Sequence, residues 1–159
     1  MTTIKVKNPF IRLKDYNCFG CSPNNPIGLK LSFEINDNYI ISYWKPTKNY
    51  EGWVDTLHGG IQSALLDEIA NWYVFVFFNV ASVTYKMEVY FRKKIKITDN
   101  TIKLKAYLIQ KKKNFAYIKA ELYDSLNELC SEGTITCFLY NLENSVRLFN
   151  FPINKNEFF

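Results

Sequence analysis

His58, Gly59 and Gly60 stand directly ahead of an apolar stretch that carries the adjacent acids Asp67 and Glu68, and no other segment gathers a histidine, glycines and carboxylates so tightly. Two glycines let the backbone turn sharply and let a ligand approach it closely. The apolar residues after them begin a helix whose first amides lack internal partners, a place that favours developing negative charge. A carboxylate further along in greasy surroundings costs free energy unless it is paired, hydrogen-bonded or useful. An amide donor and a carboxylate on one helix point to acyl chemistry.

The element that positions these groups is a helix from about Gly59 or Gly60 to about Asn79. Its apolar residues, Ile61, Leu65, Leu66, Ile69, Trp72 and Val76 among them, run nearly all the way round, as in a buried helix. Gln62, Asp67, Glu68 and Asn71 each therefore need a reason to be there. Trp72, Tyr73, Phe75 and Phe78 read as core before they read as the wall of an acyl tunnel.

Strands surround this helix. Leu29 to Ile35 and Tyr39 to Trp44 form a hairpin about the turn residues Asn36 to Asn38. Val83 to Phe91 alternates with a period of two, Val83, Tyr85, Met87, Val89 and Phe91 on one side and Thr84, Lys86, Glu88 and Tyr90 on the other. Thr101 to Ile109, Phe115 to Tyr123 and Glu132 to Leu139 continue the series. One hairpin, one long helix and a run of antiparallel strands make an α+β layout with the sheet wrapped around the helix. The chain reads as a single domain, residues 1–159, with an N-terminal arm (1–15), a core (16–140) and a tail (141–159) without an assigned role.

Composition narrows the function classes. The chain of 159 residues is 48% hydrophobic and 17% aromatic, with 13 Phe and 11 Tyr, which excludes intrinsic disorder and favours a sheet. The longest apolar run, Trp72 to Val83, falls short of the roughly 20 residues that cross a bilayer. No secretory signal is read in Met1 to Asp15, and four cysteines are too few for a disulfide scaffold, so a cytoplasmic protein is expected. Cys18 and Cys21 form half of a zinc site. Cys130, Cys137 and His58 supply no second pair with ligand spacing, so buried reduced thiols are the preferred reading and no metal is expected. The formal charge of +5 includes clusters at Arg92 to Lys94 and Lys111 to Lys113, which read as solvated loop ends. Without a recognised motif they do not support nucleic-acid binding.

The order of elements and several motifs resemble the hotdog-fold thioesterases, in the PaaI-like branch that carries a cysteine-bearing loop before the first strand. The matching residues are Cys18-Phe19-Gly20-Cys21, Asn25-Pro26 with Gly28-Leu29, Gly52-Trp53, His58-Gly59-Gly60-Ile61 with Leu65-Leu66-Asp67-Glu68, and Thr84 ahead of Tyr90-Phe91-Arg92. They span about Cys18 to Leu139. The resemblance implies hydrolysis of an acyl thioester, usually of coenzyme A, to acid and thiol, with no cofactor beyond the coenzyme A of the substrate. It also implies intersubunit sites in a homodimer or a dimer of dimers. Spacing agrees, because the eight residues from Gly59 to Asp67 rise about 12 Å along a helix, too far for both to reach one carbonyl within a single chain.

Carried onto this sequence, the resemblance makes Gly59 the amide donor, with Gly60 as alternative. Asp67 is the base or nucleophile, Thr84 a candidate for orienting water, and His58 a positioning residue. Candidate substrate contacts are Gly60, Asn25, Glu68, Arg92 and Lys93. Glu68 points about 100° away from Asp67 around the helix, so a salt bridge or a dimer contact is the expectation for its side chain. Lys93 stands where the family often has proline, a departure at the nucleotide end of the substrate. The competing classes are a non-catalytic acyl-thioester-binding protein, which would not need Asp67, and a hotdog dehydratase, whose pairing of histidine and acid is not found here.

Overall fold

The computed structural model describes residues 3–159. Seven strands, β1 (Ile4–Val6), β2 (Phe33–Asn36), β3 (Tyr39–Trp44), β4 (Ser82–Phe91), β5 (Ile102–Lys112), β6 (Phe115–Tyr123) and β7 (Leu129–Leu139), form one sheet in the order β1-β2-β3-β5-β6-β7-β4. Every neighbouring pair is antiparallel. The helix α1 (Gly59–Phe78) lies against β3 to β7, and a short helix α2 (Leu142–Phe149) follows the sheet. Among the described residues no helix is long and apolar enough to cross a membrane.

Both ends of α1 have local causes. His58 caps the start through its own side chain, and Asn79 ends the helix in the left-handed region at φ 54°, its N–H returning to the carbonyl of Phe75. Between the caps Leu65, Leu66, Ile69, Ala70 and Val74 are fully buried. Opposite them the sheet presents a cross-strand row of small residues, Ala106 on β5, Ala120 on β6 and Gly133 on β7, in register with Val89 on β4. Leu104, Ile118, Leu122 and Ile135 complete that apolar face.

Four expectations change. Leu29 to Leu31 is not strand: Lys30 takes φ 56°, and the N–H groups of Leu29 and Leu31 bond the carbonyls of Phe19 and Gly20 in the cysteine loop. The N-terminal arm contains a strand, β1, added to the edge of β2. The tail has a structural role, since Phe151 and Phe158 are buried beside Phe10, Phe75 and Trp72, and Ser145 Oγ accepts the Ala81 N–H at 2.9 Å.

The fourth change matters most for function. The alternation in β4 does not keep one phase: Thr84 pairs with Cys137 and Lys86 with Thr136, leaving Tyr85 as the extra residue of a β-bulge. Ser82 and Thr84 therefore face the helix together with Met87 and Val89, while Val83 and Tyr85 point outward. If the tail completes the core as described, Phe158→Ala lowers unfolding stability by about 3–5 kcal/mol, read as a shifted urea midpoint.

Candidate active site

Asp67 sits midway along α1 and lines a cavity of about 430 Å³ bounded by the helix, the start of β4, the cysteine loop and the N-terminal arm. Thr84 Oγ1 donates to Asp67 Oδ1. Asn71, one turn along, bonds the Asp67 carbonyl at 3.1 Å and Thr84 Oγ1 at 2.9 Å, and its own Oδ1 accepts from Ser82 Oγ at 2.7 Å. Asp67 Oδ2 makes no hydrogen bond among the described residues, so one carboxylate oxygen is held and the other is available to the cavity. Burial raises the Asp67 pKa above its ordinary value, and the Thr84 bond opposes that shift.

The start of the helix sorts the amide donors. His58 Nδ1 accepts the Gly60 N–H at 2.9 Å, and His58 O accepts those of Ile61 and Gln62 at 3.0 and 3.1 Å. Gly60, the alternative donor, is therefore already engaged. The Gly59 N–H has no partner among the described residues, and Gly59 lines a second recess, of about 440 Å³, with Gly52, Trp53 and His58. The amide and the carboxylate thus open into two different recesses of one chain. His58 is a helix cap in this arrangement, consistent with a positioning residue. Ser63 Oγ is tied to the Gly59 carbonyl at 3.0 Å.

Of the four other candidate contacts, three lie outside both recesses of the single chain and Glu68 lines one of them. Asn25 is buried, its amide bonding Asn17 O and its Oδ1 accepting the Ile27 N–H, so it holds the loop and lines neither recess. Arg92 pairs with Glu132 of β7, and Lys93 with Asp124, at 3.0 Å, and with Glu128. Neither cation lines either recess, because each is drawn to acids on and before β7. Glu68 makes no salt bridge among the described residues. Its carboxylate lies half-buried against the cysteine loop, 3.0 Å from Trp72 Nε1 and 3.5 Å from Cys18 Sγ, and it lines the same cavity as Asp67.

Asn71, Ser82, Tyr16 and the two loop cysteines complete the polar lining, and of these the sequence singles out Asn71 and the cysteines but gives no signal for Ser82 or Tyr16. Cys21 Sγ donates to Cys18 Sγ at 3.0 Å, which draws the Cys18 thiol down to about 5, while the same contact and burial push Cys21 up. Burial, with the neighbouring Cys18 charge second, lifts Glu68 to about 7.

No protein-family model matches the sequence, and no curated protein matches it. Solved structures do. A thioesterase from Haemophilus influenzae aligns with a TM-score of 0.68 at 16% identity, over 76% of this chain and 85% of that one. Thioesterase superfamily member 2 of zebrafish gives 0.65 at 19%, over 75% and 88%. A Streptococcus mutans protein bound to acetyl-CoA gives 0.66 at 15%, over 82% and 98%. The fold is the α+β hotdog fold. In this hotdog chain the long helix takes the central place and the seven-stranded antiparallel sheet wraps it.

The cap makes a prediction that separates structure from catalysis. His58→Ala leaves the Gly60 amide open and lowers stability by about 0.5–2 kcal/mol, whereas His58→Asn, which keeps a capping acceptor, stays within a few tenths. Urea unfolding of both variants measures the difference.

Proposed function

We propose that the protein hydrolyses an acyl thioester, of coenzyme A in the first instance, to acid and thiol, at sites each built from two chains. The observation that carries this reading is the division of one helix into a free amide at Gly59 and a half-buried, half-engaged carboxylate at Asp67. The solved structures with this fold include two named as thioesterases and one bound to acetyl-CoA, which supports the same substrate class.

In this reading the thioester oxygen accepts the Gly59 N–H, and the helix start stabilises the charge that develops on it. Asp67, with Oδ1 held by Thr84 and Oδ2 open, takes a proton from the attacking water. Burial suits it to that role by raising its proton affinity. Thr84 both donates to Asp67 and accepts from Asn71, so its hydroxyl positions the carboxylate. Attack by Asp67 itself, through a mixed anhydride, uses the same geometry.

A second copy fits the exposed edge of the sheet. β4 is an edge strand of ten residues, and a long unpaired edge is a template for pairing with another chain. Exposed Tyr85, Tyr90 and Phe91 lie along it, and Trp53, 85% exposed, stands beside the Gly59 recess. Two chains joined there with their helices antiparallel would bring Gly59 of one beside Asp67 of the other, giving two equivalent sites.

Asp67→Asn is expected to fold and lose about 10²–10⁴ in turnover, measured as thiol release from a panel of acyl-CoA esters. Unchanged turnover would sink the assignment, and binding without turnover in the unmodified protein would favour the non-catalytic alternative. Gly59 is the first helical residue, where proline is tolerated, and His58 at ψ 134° suits a following proline. Gly59→Pro therefore deletes the donor while keeping the helix, at a cost of about 10²–10³ in turnover. Mixed after unfolding and refolding, the two variants recover up to about a quarter of the original activity, because each heterodimer regains one intact site. No recovery would show that the two groups do not serve one site across chains.

A further inference from the structure

The wall of the cavity opposite β4 contains a cluster that hydrolysis does not use. We propose that Cys18, Cys21 and Glu68 bind one thiophilic divalent cation of the zinc class, with an open coordination position facing the cavity that Asp67 lines. Zinc accepts thiolate sulfur and carboxylate oxygen together, and three protein ligands with a vacant fourth place is a recurring arrangement for that ion.

Geometry carries the assignment. The three ligand atoms lie within 4.8 Å of one another. Zn–S bonds of about 2.3 Å and Zn–O bonds of about 2.0–2.2 Å, set tetrahedrally, place ligands roughly 3.8 Å apart for S···S and 3.6 Å for S···O. Cys18 Sγ and Glu68 Oε1 are 3.5 Å apart, already at that separation. The sulfurs, 3.0 Å apart, need to open by less than about 1 Å, within reach of side-chain rotation. All three side chains line the cavity, so the fourth position opens inward, where water completes it.

A second observation points to a cation independently of the cysteines. Glu68 is half-buried beside Trp72, and among the described residues no Lys, Arg or His side chain pairs with it. A carboxylate this far withdrawn from water, with thiols and an indole for neighbours and no cation, lacks the counter-charge that ordinarily accompanies burial. The loop is shaped to receive it, because a Cβ at Gly20 would lie 2.2 Å from Glu68 Cδ and 2.3 Å from Oε2. The bonds from Leu29 to Phe19 O, at 2.7 Å, and from Leu31 to Gly20 O, at 2.9 Å, fix that loop on the segment leading into β2 before any ion arrives. A disulfide would join the sulfurs at about 2.05 Å and leave the carboxylate without a counter-charge.

The test uses the full chain, reduced with a phosphine, stripped with a chelator and titrated with cobalt(II). The expected result is one cobalt per chain, with the visible bands of a tetrahedral ion and a near-ultraviolet thiolate-to-cobalt transition of two-thiolate intensity, all displaced by one equivalent of zinc. Cys18→Ser and Cys21→Ser each halve that transition, Glu68→Gln keeps it, and all three weaken uptake by more than the roughly 10–100-fold that loss of an outer-shell partner costs. Cys130→Ala, a buried cysteine outside the cavity, leaves both unchanged. Absence of the transition in the unmodified protein overturns the proposal, whether or not the serine variants fold. So does an unaltered band in Cys18→Ser, or unaltered affinity in Glu68→Gln. None of these readouts depends on thioester turnover, so they stand apart from the fate of the hydrolase reading.

Discussion

The burial of one carboxylate organises this protein. Asp67 lies in the middle of a helix that is apolar on nearly every face, where an ionised group without partners would cost several kcal/mol. What makes the position tolerable is a chain of neutral hydrogen bonds, Ser82 to Asn71 to Thr84 to Asp67, running between helix and sheet. Two of its members are on β4, and they face the helix only because Tyr85 is an extra residue in that strand. Without the bulge the strand would keep one phase, and the face that carries Met87 and Val89 would carry Tyr85 and Val83 in place of Thr84 and Ser82. A one-residue irregularity is therefore the device that places polar partners against a buried acid.

The helix is stiff, which gives the spacing along it consequences. Both caps are made by polar side-chain residues of its own sequence, His58 at the start and Asn79 at the end, and its middle is seated on a row of small residues that keeps it close to the sheet. Gly59 and Asp67 cannot approach each other within such an element. The capping pattern also leaves the Gly59 amide without an acceptor among the described residues, because His58 takes Gly60 through its ring and the next two through its carbonyl. A group that must meet both the amide and the acid has to be supplied with them from two helices.

Much of this was legible in the residues. The glycines and Asn79 mark the limits of α1, the apolar residues between them show that it is buried, and Tyr39–Trp44 and Phe115–Tyr123 are strands with the bounds their composition implies. The hidden parts have identifiable causes. A bulge leaves no trace in a period-two pattern of alternating aromatics and polar residues, so the alternation alone separates Thr84 from the face that carries Met87 and Val89. The tail has aromatics at irregular spacing, and Phe151 and Phe158 reveal their role only when Phe10, more than a hundred residues earlier, is brought beside them. Arg92 and Lys93 have the charge for a polyphosphate, but the acids that hold them, Glu132, Asp124 and Glu128, come from a distant hairpin.

Glu68 shows how the two sides of the helix come to share one cavity. Adjacent residues on a helix point about 100° apart, which places Asp67 and Glu68 on different faces. They nevertheless line the same space, because β4 closes over the face of Asp67 while the cysteine loop folds over that of Glu68. The two walls differ chemically. On the β4 side the acid is held by hydroxyl and amide groups, which fix its geometry without adding charge. On the loop side the acid meets two thiols, whose electron-rich sulfurs offer it no positive charge. Phe10 and Phe75 give the lining an apolar part, so a ligand entering this cavity meets a greasy surface between two half-buried carboxylates of unlike surroundings. An acyl chain is compatible with that surface, and a cation on the loop side would answer the acid that the protein itself leaves without a counter-charge.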